Sequence, residues 1–444
     1  MFETLIRGAT VVNAEGPRRA DVGIAAGRIE ALMRPGETAG ASEIVDASGS
    51  FLLPGLVDAH AHLRDPGLTH KEDFSSGTHA AALGGVTTVL DMPTDEPWTA
   101  TSEQLADKMA IAEGRIHVDV GLQAVVSRDL SLVPRLLDRA PVSFELFTAD
   151  VPDAFLFASL DAVAQALKAF GGADTLIGIS PGDQSILAGS TARDRSGTIA
   201  AFQDSRPALA EANGIARALV AAASAETRIH VRQINSELGV ETWSRLRDIA
   251  DASVETTPQN LFFTADDYET QGANLKASPP LRSPHDVDAL RAALSAGLID
   301  IVATDHAPHA PAEKAASYAV FADIPGGMPG LQTLLFTMLK LVDDGLIALP
   351  DLVRMCSRNP AERFGLGRRK GKIAIGYDAD LLILDPREIS TIANADQVSR
   401  AGYTPFDGWT VKARLTNVFL RGREIVREGK LIASTTGTIV TRES

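Results

Sequence analysis

The sequence predicts an α/β protein built on a parallel (β/α)8 barrel, with a small β domain made from both ends of the chain. Three observations lead there. Between about Pro54 and Lys370, short apolar strands alternate with Ala- and Leu-rich stretches of helical length, the pattern of a parallel sheet covered by helices. The two ends read as short strands broken by turns, and neither holds enough of them for a core of its own. A length of 444 residues suits one large barrel with an appendage, or two to three domains.

In chain order, strands are expected at 5–6, 10–12, 21–24 and 28–29, with a polar turn at Gly16-Pro17 and Gly27 as punctuation. Inside the barrel the clearest strands are 86–90, 118–122, 228–231 and 299–303, and the clearest helices 161–170 and 215–225. Strands return at 380–384, 411–415 and 418–420. A doubly wound open sheet is the alternative, but no Gly-x-Gly-x-x-Gly phosphate loop supports it.

Composition narrows the function. With 42 Lys+Arg against 57 Asp+Glu the formal net charge is −15, which argues against general nucleic-acid binding. Cys356 is the only cysteine, so an intrachain disulfide and a cysteine-based zinc site are both excluded. No apolar run is long enough for a membrane span, and the first residues lack the features of a signal peptide. A cytoplasmic, folded protein is expected.

Two segments carry chemistry. Residues 54–62 read Pro-Gly-Leu-Val-Asp-Ala-His-Ala-His, and on a strand His60 and His62 point to one side. Two imidazoles on one face can clamp Zn²⁺ or a similar ion, although His-x-His also arises by chance. Residues 301–309 read Ile-Val-Ala-Thr-Asp-His-Ala-Pro-His, an apolar strand ending in Asp305 where a barrel presents catalytic groups. A carboxylate there can ligate a metal and accept a proton from water; its competing role is a helix cap. His70, His79, His117, His285, His306 and Cys356 read as packing or surface residues.

Four longer segments sharpen this: Asp-Ala-His-Ala-His-Leu-Arg-Asp-Pro-Gly at 58–67, Gly-Gly-Val-Thr-Thr-Val-Leu-Asp-Met-Pro at 84–93, Asn-Leu-Lys-Ala-Ser-Pro-Pro-Leu-Arg at 274–282, and Ala-Thr-Asp-His-Ala-Pro-His at 303–309. On these, and over nearly its whole length, the chain resembles the cyclic amidohydrolases of the amidohydrolase superfamily, most closely dihydroorotases, within a group that also holds allantoinases and hydantoinases. The resemblance implies a distorted TIM-like barrel over 54–370 and a β-sandwich from 1–53 plus 371–444. It implies metal-dependent opening of a ring amide C–N bond by a metal-bound hydroxide. His60, His62 and Asp305 match the family's ligands, and Asp305 its catalytic proton carrier.

The chain also departs from that pattern. The family's binuclear site is bridged by a carbamylated lysine; the matching stretch here is Ser143-Phe144-Glu145-Leu146-Phe147, with Glu145 at the lysine position. A buried, unpaired carboxylate is costly, so Glu145 needs a cation partner, and a metal is expected to be that partner. Ser180 and Gln233 stand where the second metal's histidines would be. His230 lies three positions before Gln233 and on a regular strand faces the other way. The losses fall on one metal and spare the other. One Zn²⁺ or other divalent ion per chain is therefore expected, on His60, His62, Asp305 and Glu145.

Arg64 follows His62 by two residues and should share its cavity, where a guanidinium can grip a carboxylate; the matching arginine of dihydroorotases does so. Thr94 replaces a carboxylate-binding asparagine, while Asn274 and His309 match substrate-contacting positions. Glycines at 326–330 are expected to line the mouth and lend backbone amides. The expected substrate is a small cyclic amide or ureide carrying an anion. The alternative is a catalytically impaired dihydroorotase homologue with a structural or regulatory role, such as support of a carbamoyltransferase. The resemblance further implies a homodimer or homotetramer.

Overall fold

The computed structural model describes residues 1–442. Its barrel strands are β1 (Leu56–Ala61), β2 (Val86–Asp91), β3 (Asp119–Val125), β4 (Ser143–Phe147), β5 (Ile177–Ser180), β6 (Ile229–Val231), β7 (Ala252–Thr256) and β8 (Ile301–Val302). They pair in chain order, each parallel to its neighbour. The ring closes where Ala61 pairs with His306 and the His62 amide donates to the His306 carbonyl at 2.7 Å. Every residue of β1, β2 and β3 is buried, which is why these segments read as continuous runs rather than alternating ones.

The expected helices appear as Leu160–Lys168 and Ala208–Ala225. Strand β8 is shorter than the expected 299–303. The Asp58 carboxylate takes the Thr304 amide at 3.0 Å, and the chain leaves the ladder there to present Asp305.

Both termini build the remaining sheets. A seven-stranded sheet joins Thr10–Asn13 and Phe51–Pro54 to Leu381–Asp385 and Arg414–Leu420. Within it, Leu381–Asp385 runs antiparallel to Phe51–Pro54. A four-stranded sheet comes from the first 46 residues alone. Ile6, Val22, Ile24, Leu52, Leu381 and Phe419 form one apolar cluster from the two sheets. The chain then comes back: Ile439–Val440 pairs in parallel with β3 and so adds to the barrel rather than to the terminal sheets.

Candidate active site

The strand ends bring His60, His62 and Asp305 together. Nε2 of each imidazole lies 3.3 Å from Asp305 Oδ1. The opposite nitrogens are engaged: His60 Nδ1 meets Glu255 Oε1 at 2.5 Å, and His62 Nδ1 meets Thr94 Oγ1 at 2.9 Å. Such partners fix ring orientation and leave the other nitrogen free for a ligand. Burial, with the Arg64 charge adding to it, holds His62 down near 3, so it is a neutral imidazole. Burial opposes charge on His60 as well, but the carboxylates of Glu255 and Asp305 outweigh it and raise that pKa. The other Asp305 oxygen accepts from the Gln233 side-chain amide.

Three residues around this point hold left-handed backbone without being glycine: Arg64 (φ 61°), Gln233 (φ 48°) and Asp305 (φ 46°). Conformations of this kind are sparsely populated by L-residues and gather at functional sites. The donor set is two imidazole nitrogens and a carboxylate oxygen, all within 4.8 Å of one another. That is the chemistry of a three-ligand divalent site with an open position, so these residues fit one metal ion.

Glu145 stands apart from this group. Its Oε2 accepts from Arg232 Nε at 3.0 Å and its Oε1 from Ser180 Oγ at 2.8 Å. The cation that its burial demanded is thus a guanidinium. Arg232 is itself fully buried, and donates further to the Ala59 carbonyl (3.0 Å), Glu255 Oε2 (3.2 Å) and Gln123 Oε1 (2.6 Å). His230 joins the same buried cluster instead of facing Asp305: Nδ1 meets Ser253 Oγ at 2.8 Å and Nε2 meets Glu255 Oε2 at 2.9 Å, the carboxylate that also holds Arg232 and His60. Sequence reasoning missed Arg232, Glu255 and Gln123. The available signal was a set of charged or amide side chains within or just after strands that are otherwise apolar.

Gly178 makes room for this ion pair. A Cβ there would lie 2.1 Å from Glu145 Oε2 and 2.9 Å from Arg232 Nε. Gly178→Ala is therefore expected to lower stability by about 1–3 kcal/mol, the usual penalty for overpacking a filled interior. A denaturation midpoint unchanged from wild type would contradict this.

The remaining candidates line up unevenly. The Arg64 Nε is buried with no hydrogen-bond partner, and so is His309 Nδ1. His309 Nε2 donates to the Gly326 carbonyl at 2.9 Å. Burial, then the charges of Arg64, Lys71 and Lys314, hold His309 down near 3, so Nδ1 carries a lone pair. Thr94 uses its hydroxyl on His62. Asn274 is exposed, in the 3-10 turn Gly272–Leu275. The glycine segment spends its amides internally: Gly327 donates to the Lys276 carbonyl at 2.8 Å and Gly330 to His306 Nδ1 at 3.0 Å. A cavity of about 190 Å³ is lined by Gln233, Ser180, Arg232, Arg206 and Arg282 among others.

A second carboxylate cluster, Asp119, Asp378 and Asp380, lies elsewhere. The Lys370 ammonium already fills it, at 2.6, 3.1 and 2.6 Å respectively.

A parallel barrel with two imidazoles and a carboxylate gathered at its strand ends points to a class, and comparison with known proteins agrees. The amidohydrolase family model matches residues 51–131 and 212–425. The chain belongs to the amidohydrolase family, in the group of cyclic amidohydrolases. It is 34% identical over 394 residues to a dihydroorotase of Methanothermobacter thermautotrophicus, covering 88% of each chain. It is 33% identical over 439 residues to an allantoinase of Salmonella gallinarum, covering 95% of this chain and 94% of that one. Among solved structures, L-hydantoinase (dihydropyrimidinase) from Arthrobacter aurescens superposes over 100% of both chains with a TM-score of 0.95 at 29% identity. Metal dependence is general to this family. No described helix is long and apolar enough to cross a membrane.

Proposed function

We propose that this protein hydrolyses a C–N bond of a cyclic amide or ureide bearing an anionic substituent, using one divalent metal ion held by His60, His62 and Asp305. The observation that carries the reading is the shared Asp305 oxygen facing both imidazole Nε2 atoms at 3.3 Å. A divalent cation bound there would polarise the ring carbonyl and activate water. Asp305 accepts the proton that water loses as the C–O bond forms, and returns it to the ring nitrogen as the C–N bond breaks. Gln233 holds the Asp305 carboxylate in register through its second oxygen.

Two buried nitrogens without a hydrogen-bond partner support the anionic ring. Arg64 offers an unspent donor and a full positive charge, and His309 Nδ1 offers an acceptor. Together they complement a carboxylate and a ring N–H. Glu145 is left out of the ligand set, because Arg232 and Ser180 occupy its oxygens.

The test is hydrolysis of a panel of dihydroorotate, hydantoins, allantoin and cyclic imides by zinc-reconstituted protein. Turnover is expected on a ring carrying a carboxylate. Arg64→Ala is expected to lower kcat/KM by about 10- to 100-fold, mostly through KM, as loss of a charged hydrogen bond implies. Metal bound in full with no substrate turned over would favour the non-catalytic reading instead. The filled barrel interior around Arg232 is the feature that favours that second reading.

A further inference from the structure

We infer that the Arg232 guanidinium is a tethered cation that replaces a second metal ion, so that the barrel accepts one exchangeable metal and cannot accept two. This rests on the one-metal reading proposed above. Two fully buried carboxylates, Glu145 and Glu255, converge on this side chain. The planar fork meets four acceptors: Nε reaches Glu145, Nη1 reaches the Ala59 carbonyl and Glu255, and Nη2 reaches Gln123. A guanidinium suits such divergent oxygens because its donors are rigid and it holds its charge when buried.

The groups a second metal would need are already spent. Glu145 has one oxygen on Arg232 and the other on Ser180, which donates to it. Gln233 donates its amide to Asp305, and both nitrogens of His230 are taken by Ser253 and Glu255. Gly178 has no side chain where one would strike the pair. Glu255 also links the two charges: one oxygen takes Arg232 and the other takes His60 Nδ1. Arg232 is thus a positioning residue, acting on the metal-facing imidazole through Glu255.

The experiment measures zinc per chain after equilibrium dialysis for wild type, Arg232→Ala, and Arg232→Ala with Glu145→Gln. Thermal midpoints are recorded with guanidinium ion far below denaturing concentration, and with sodium as control. The expected zinc content is about one in wild type, about two in Arg232→Ala, and about one again in the double variant, since only the single variant frees a pair of buried carboxylates for a cation. Guanidinium, but not sodium, is expected to raise the midpoint of Arg232→Ala. Two zinc ions in wild type would overturn the inference. So would an Arg232→Ala variant that keeps one zinc and ignores guanidinium. If Arg232→Ala does not fold, recovery of soluble protein on adding Glu145→Gln supports the inference and failure to recover counts against it. Wild type without zinc refutes the metal reading of His60, His62 and Asp305, whereas the guanidinium response of Arg232→Ala still decides the role of Arg232.

Discussion

Asp305→Asn is expected to lower the hydrolysis rate by at least about 10³-fold, because the proposed mechanism gives this one side chain both the proton transfer and a place among the metal ligands. The substitution keeps the volume and a hydrogen-bonding side chain facing Gln233, so packing changes little. What it removes is the negative charge and the basicity. Asp305 Oδ1 is the one atom shared by His60 and His62, at 3.3 Å from each, so zinc affinity should fall along with the rate. The fold should not suffer. The polar side-chain contacts of Asp305 are with the two histidines and Gln233, and the strand it follows is anchored separately, by Asp58 on Thr304. The checks are steady-state kinetics, zinc content and a thermal melt on one preparation. A rate within tenfold of wild type would remove Asp305 from the mechanism.

How much of this was legible in the sequence depends on whether a residue's partner is local. His60 and His62 share a face because a strand alternates with period two, and Asp305 ends an apolar strand; neither statement needs the rest of the fold. The need of Glu145 for a cation follows from its burial alone. Which cation it receives does not. Arg232 lies 87 positions away, and its approach depends on Gly178 leaving space between β4 and β6. Thr94 was legible only as a substrate contact, because its hydroxyl meets His62 across two neighbouring strands. Ile439–Val440 gave no sign of joining β3, since two apolar residues say that a strand is buried but not beside what. The glycines at 326–330 suggested close approach, and close approach occurs, but to the protein's own carbonyl and imidazole groups.

Lys370→Met tests the opposite end of the barrel, where the expected effect is on stability and not on chemistry. Lys370 is buried, and its ammonium lies within 2.6–3.1 Å of Asp119, Asp378 and Asp380. Asp119 opens β3, Asp378 and Asp380 precede the terminal-sheet strand Leu381–Asp385, and Asp119 Oδ1 also takes the Thr438 amide at 2.9 Å. One ammonium therefore ties the barrel to the terminal sheet, at a carboxylate that also holds the returning C-terminal segment. Removing it leaves three clustered carboxylates whose remaining close cations are the guanidinium groups of Arg421, on Asp119, and Arg369, on Asp378. Breaking a buried ion pair from one side costs about 3–5 kcal/mol, and that is the expected loss, read from urea denaturation midpoints. Against burial, the three carboxylates raise the pKa of Lys370 above its ordinary 10.5. A raised ammonium contributes in full below 10.5 and loses its contribution only as pH climbs through the higher folded value, so the deficit should be flat across neutral pH. Adding Asp380→Asn should recover part of it, because one of the stranded charges is then gone. His60, His62 and Asp305 sit at the other ends of the strands, so the fraction that stays folded should match the metal content and turnover measured for wild type. A stability loss that Asp380→Asn fails to relieve would mean that Lys370 acts through packing of its aliphatic stem rather than through its charge.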